Sequence, residues 1–209
     1  MIAEPTTLIT DYLMAGVTGW LGWRLYRVRE GQAARSYWSF AFAASAVAAG
    51  LGGSYHGLAN MLDDSVLEPL WTVTALIIGT GSIGMVAGSA TAVTVGMLRR
   101  VLFAFAAAQF AVYAVWTLTH DDFIYVIADS GTALAIVAAL HGWSALRTRD
   151  RASRWMLGGV GVSLLAAAVQ ASGFDLHRNF NHNDLYHVIQ IAAMPLFYFG
   201  ARALRDRLN

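Results

Sequence analysis

The chain has no cysteine and no lysine; all 14 of its basic residues are arginine. Without cysteine there are no disulfides, no thiolate metal sites and no cysteine nucleophile. Without lysine there is no Schiff base, so a retinal-bearing rhodopsin is excluded whatever the helix count. Charge of either sign is scarce: Asp, Glu, Lys and Arg make up 13% of the 209 residues, about half the share usual in soluble domains. A net charge of +1 leaves no electrostatic footprint for nucleic acid. Proline occurs only at Pro5, Pro69 and Pro195. Pro195 alone falls deep inside an apolar stretch, Pro69 standing at the start of one, which is weak support for the broken helices of a transporter.

What the chain has in quantity is apolar length. Hydrophobic residues make up 57% of it, and mean hydropathy is +0.51. A membrane-crossing helix needs about 20 mostly apolar residues. Seven such stretches can be read: Thr7–Arg27, Tyr37–Leu58, Leu67–Leu98, Val101–Leu118, Phe123–Leu146, Arg154–Phe174 and Leu185–Leu204. The expectation is an all-α polytopic membrane protein, one seven-helix transmembrane bundle over residues 1–209. The turn between the third and fourth spans is expected at Arg99-Arg100. Gly79, Gly81, Gly84 and Gly88 in the third span, and Gly158, Gly159 and Gly161 in the sixth, suit close helix packing.

The loops predict an orientation. Arginines cluster at the first, third and fifth connections and at the C-terminus, thirteen of the fourteen in all. Glu4, Asp63, Asp64, Glu68, Asp121, Asp122, Asp175 and Asp184 fall on the other side. The positive-inside rule puts the N-terminus outside and the C-terminus in the cytoplasm. The first span has no basic residues ahead of it and no small-residue cleavage site, so it reads as a retained helix. With no lysine and no targeting peptide, a bacterial inner membrane is the expected location. The tryptophans lie mostly near span ends, where interfacial belts account for them.

Polar groups inside a bilayer cost several kcal/mol and are functional candidates. His56 sits near the outer end of span two, in Gly52-Gly53-Ser54-Tyr55-His56-Gly57. Glu68 opens span three, Asp129 lies about two turns into span five, and Gln170 is near the outer end of span six. Asn183, His187 and Gln190 open span seven. The inner half has Gln109 and His141. A one-sided polar layer drawn from five helices reads as a pocket. Helix ends are polar in any case, which accounts for Glu68 and Asn183 but poorly for Asp129 and Gln190. Five of the six histidines lie on the outer side. Catalytic zinc takes three protein ligands plus water; His56 and His187 supply two, and His182, Asp184 or Glu68 a third.

Seven spans, a histidine ending the second, an acid opening the third and a histidine motif opening the seventh together resemble the CREST superfamily. That group holds the alkaline ceramidases, the progestin and adipoQ receptors and the Per1-like proteins. The resemblance implies a seven-helix bundle with zinc near one membrane face, and hydrolysis of lipid amides or esters by zinc-activated water. His56 matches the span-two zinc histidine. Glu68 falls near the family's aspartate of span three. His187 matches the second histidine of the span-seven HxxxH; the first is Asn183 here, with His182 one place earlier. His182 takes that role only if span seven starts after Asn183. The family's serine, four residues before the span-two histidine, is Gly52 here; Ser54 is nearby on a different helix face.

Two functions follow as expectations. The first is a membrane-embedded, zinc-dependent hydrolase of a lipid amide or ester. His56, His182 and His187 would hold the metal, and Glu68 or Asp129 would act as general base. Ser54, Asn183 and Gln190 would stand near the substrate or behind the ligands, and a membrane lipid would enter sideways. The second is a non-enzymatic receptor, sensor or lipid-binding protein that keeps the fold without the metal. Haem on the His56–His187 pair ranks last, because no cofactor motif supports it.

Overall fold

The computed structural model describes residues 2–208. It is all-α, with seven helices: α1 (Pro5–Arg27), α2 (Ala33–Leu58), α3 (Asp64–Val93), α4 (Gly96–Thr117), α5 (Phe123–Thr148), α6 (Arg151–Ser172) and α7 (His182–Ala203). By length and composition, α3, α4, α5 and α6 can each cross a membrane, which fits an integral membrane protein.

The distribution of side chains supports the same assignment. Large apolar residues face outward on every helix, among them Ile9, Leu13, Phe40, Val112, Leu146 and Phe199. The buried positions are instead rich in Ala, Gly, Ser and Thr. In water this arrangement would expose too much apolar surface. In lipid, small residues are what lets helices approach. Gly84, Gly88 and Gly159 are such points of approach: a Cβ on Gly84 would lie 2.9 Å from the Tyr37 carbonyl oxygen, and one on Gly159 2.7 Å from the Phe197 ring. A Cβ on Gly161, by contrast, would meet nothing within 4 Å, so this glycine has no packing role of that kind.

Helix starts follow local chemistry. Asp122 caps α5 by accepting from the Ile124 amide, and Asp150 caps α6 by accepting from the Ser153 amide. Asn181 and Asp184 form a capping box that starts α7 at His182, three residues before the start expected from hydropathy. The turn between α3 and α4 is also displaced. It falls at Thr94-Val95, with Gly96 at φ +59°, and not at Arg99-Arg100. Extended Thr94 and Val95 and the left-handed glycine make the turn. Arg99, one turn into α4, donates back to the terminal carbonyls of α3, at Thr91 and Thr94, and to Arg207. Of the arginine pair that looked like a turn, Arg99 is a C-terminal cap for the helix before it.

Six helices form a ring. α1 packs on α2, α2 on α3, α3 on α5, α5 on α6, α6 on α7, and α7 back on α1. α4 stands outside, against α3 and one edge of α5. One end of the bundle is basic. There Arg24, Arg27, Arg29, Arg147, Arg151 and Arg207 each lie over a tryptophan or tyrosine ring. The C-terminal tail closes this end: Asp206 accepts from the Ala33 and Ala34 amides at 2.8 Å each, capping α2, and Arg35 donates to the Leu204 carbonyl. The opposite end carries the acidic loops.

Candidate functional site

The ring encloses a cavity of about 440 Å³, within the usual size of small-molecule sites. Five of its walls come from α1, α2, α5, α6 and α7, with α3 completing the ring; α4 contributes nothing. At the basic end the floor is Trp38 stacked on Phe197, ring centroids 5.3 Å apart. Above it the walls are apolar: Phe42, Met85, Leu134 and Met194. At the acidic end they turn polar, with Asp11, His56, Gln170, His182, Asn183, His187 and Gln190. Trp71 and Phe123 edge this end, their rings 5.9 Å apart.

The centre of the polar end is a pair that hydropathy reading overlooks. Asp11 on α1 is 3% exposed, and its Oδ1 lies 3.2 Å from His187 Nε2 on α7. The other ring nitrogen, Nδ1, is 3.1 Å from the Thr10 hydroxyl. Both nitrogens of His187 are thus engaged. Asp11 fits here because α2 has no side chain to obstruct it. A Cβ on Gly53 would lie 2.8 Å from the Asp11 Cβ, and Gly52 faces the carboxylate. Gly53, next to the position where a family serine was expected, gives the space that admits Asp11. The signal in the sequence is the spacing Thr7, Thr10, Asp11, Thr18, which lays a polar stripe on one face of α1; all four are buried.

His56 faces the same end from α2, and its Nδ1 is 3.4 Å from Glu4. Glu4 in turn accepts from Thr7 at 3.1 Å. His182 stands at the mouth. Its ring and its amide both bond Asp175 at 2.8 Å, and those bonds hold the Asp175 carboxyl below its ordinary range. Asn183 accepts from Gln170 at 2.5 Å. Gln190 lines the wall two turns deeper.

Other expected site residues lie elsewhere. Glu68 is exposed and outside the cavity wall. Ser54 is on the outer face of α2, bonded to Gly50 and Tyr12. Asp129 faces away from the cavity, between α3 and α4. It accepts from Ser82 at 2.6 Å and from Gln109 at 2.8 Å. The helical register of α5 explains this: Ser130 and Gly131 face inward, so Asp129 turns to the outer helix. The three expected zinc ligands are likewise not brought together. His56 and His187 share the polar end, whereas His182 starts α7 and is held by Asp175. Among the described residues no three His, Asp or Glu side chains are arranged to hold a metal ion. The residues present do not fit the zinc centre that the resemblance implies.

The chain matches the DUF6962 family, a family of unknown function, over residues 6–206, and belongs to it. No curated protein and no solved structure matches it.

Proposed function

We propose that the protein is a seven-helix integral membrane protein that binds an amphiphilic lipid inside its bundle, with the polar head at the acidic end. The observation that carries this reading is the cavity, polar at one end and apolar below, closed at its floor by Trp38 and Phe197. An amphiphile matches both halves. A fully polar solute would leave the walls of Phe42, Leu134 and Met194 without apolar contact. A pure hydrocarbon would desolvate Asp11 and Gln170 for no return.

The test is to extract the protein in mild detergent and identify the lipids it retains by mass spectrometry, beside Ala167→Phe, which fills the cavity between Ser163 and Gln170. One lipid class enriched in the wild type and lost in the folded variant is the expected result. Equal retention by both, or none by either, refutes the reading.

The proposal places all seven helices across a bacterial inner membrane, N-terminus outside. The arginine–aromatic contacts at one end support this orientation. Because the chain has no cysteine, Asp63→Cys and Arg205→Cys report it directly. An impermeant maleimide should label the first in intact cells and the second only after lysis.

A second reading, the zinc-dependent lipid hydrolase of the CREST-like resemblance, rests on His56 and His187 walling the same end of the cavity, with no third ligand arranged beside them among the described residues. Elemental analysis of purified protein decides it. About one zinc per chain, lost in both His56→Ala and His187→Ala, would support hydrolysis; metal-free protein would refute it.

A further inference from the structure

We infer that the bound amphiphile carries two hydrogen-bonding groups: a donor at its head, and a second polar group about 10 Å further along its chain. This rests on the binding reading above and adds the chemistry of the ligand.

The head requirement comes from Asp11. Its Oδ1 is taken by His187. Its Oδ2 has no partner, although the residue is 3% exposed and lines the cavity. Whether the shared proton sits on Oδ1 or on the His187 nitrogen, Oδ2 is an acceptor. The Gln170 Oε1, across the cavity on α6, also lacks a partner. Two acceptors at one end call for a hydroxyl or an ammonium, not a carboxylate.

The second requirement lies two turns deeper. Thr18 is fully buried and Ser163 is 3% exposed. Both line the cavity, and neither hydroxyl has a partner among the described residues. Elsewhere in this chain helical hydroxyls donate back to the carbonyl four residues earlier, as in Thr74, Thr91 and Thr132. Thr18 and Ser163 do not, so their hydroxyls point off their own helices. Thr18 follows Asp11 by seven residues and Ser163 precedes Gln170 by seven. Seven residues are two turns, so each pair shares a helix face, with its members about 10 Å apart along the axis. Antiparallel α6 and α1-side walls thus present the same two levels. Ser45 and Ser130 line the cavity as well.

The test uses full-length protein in nanodiscs. Three probes are compared: octadecanol, the same alcohol with a second hydroxyl near mid-chain, and stearic acid. Binding is read from the emission of Trp38 and Trp71. The dihydroxy probe should bind about ten-fold more tightly than octadecanol, the value of one well-placed hydrogen bond, and the acid most weakly. In Thr18→Val/Ser163→Ala the ten-fold advantage of the dihydroxy probe over octadecanol should vanish, with circular dichroism showing whether the variant is folded. The ratio in the wild type decides even if that variant does not fold. Equal affinity for the two alcohols overturns the second contact and leaves the binding reading standing. Preference for the acid overturns the donor head. No binding of any probe overturns both.

Discussion

Replacing Asp129 should cost stability and leave ligand binding alone, the opposite of what its place in the sequence suggests. Its carboxylate accepts from Ser82 on α3 at 2.6 Å and from Gln109 on α4 at 2.8 Å. Gln109 also donates to the Asp129 carbonyl at 3.0 Å, a bond that survives any side-chain change. Asp129→Ala therefore removes two interhelical bonds and leaves two donors without acceptors. Interhelical hydrogen bonds in membranes average about 0.6 kcal/mol and reach about 1.7, so the bonds contribute roughly 1–3 kcal/mol. Asp129→Asn keeps the size and one acceptor but turns an amide toward a donor, costing about half as much. One of the lost bonds joins α5 to α3 and the other joins it to α4, the helix outside the ring, which stays tied to α3 through the Tyr113 hydroxyl and the Ala75 carbonyl. The assay is reversible unfolding in mixed micelles for both variants, alongside lipid retention by mass spectrometry. The expected order of stability is wild type, Asn, Ala, with retention unchanged. Full stability with lost retention would refute the placement of Asp129 outside the site and restore it as a functional carboxylate.

Four further outcomes follow from the packing. Gly88→Ala should lower stability and perturb tryptophan emission, because its Cβ would lie 2.5 Å from Trp38 Cδ1; Gly81→Ala, whose nearest neighbour would be 3.6 Å away, should be neutral in the same thermal scan. His141 is fully buried and bridges Ser153 at 3.0 Å and Ser89 at 3.2 Å, so His141→Phe should destabilise by about 1–3 kcal/mol without changing lipid retention. Asp150 is raised by partial burial but more strongly lowered by the Ser153 amide and the Ser144, Ser153 and Thr148 hydroxyls, ending below its ordinary 3.8. A lowered carboxyl stabilises the fold above the unfolded value and loses that effect as pH falls through the folded one. Melting scans below about pH 4 should therefore show a loss in the wild type that is smaller in Asp150→Asn. Asp206→Ala removes the acceptors of the Ala33 and Ala34 amides and should cost about 1 kcal/mol, the value of a helix cap, with faster proteolysis of the C-terminal tail.

The helices were legible in the sequence because each is one long apolar run between loop signals. Their ends were less so where capping chemistry overrides hydropathy. Asn181 and Asp184 start α7 early, and Arg99 reads as a turn only until its bonds to the α3 carbonyls are seen. Five of the eight expected positions, His56, His182, Asn183, His187 and Gln190, line one cavity. Glu68, Ser54 and Asp129 do not, because depth along a helix says nothing about which face a residue takes. Asp129 and Ser130 are adjacent in the chain, yet the rotation of about 100° between them puts only Ser130 on the cavity wall. Asp11 was hidden for a different reason. One acid in an apolar span gives a weak hydropathy signal, and its significance depends on Gly52 and Gly53 of a neighbouring helix.

The bundle separates polar groups that hold it together from polar groups that await a partner. Asp129, His141, Arg35 and Asp206 each join two or more helices or the tail through bonds made within the chain. None of them lines the cavity. Among the described residues, eight buried side-chain nitrogen or oxygen atoms lack any partner, and five of them belong to residues that do line it: Asp11, Thr18, Trp38, Ser163 and Gln170. Trp38 turns its indole edge toward Gly88, which leaves four on α1 and α6. In lipid an unpaired polar atom is expensive, and helix association draws on just such bonds. The other three, on Gln109, Thr117 and Asp184, lie off this cavity, whereas these four share it. The grouping of the four at two levels, on two antiparallel helices of the ring, is what a ligand with two polar groups would complete.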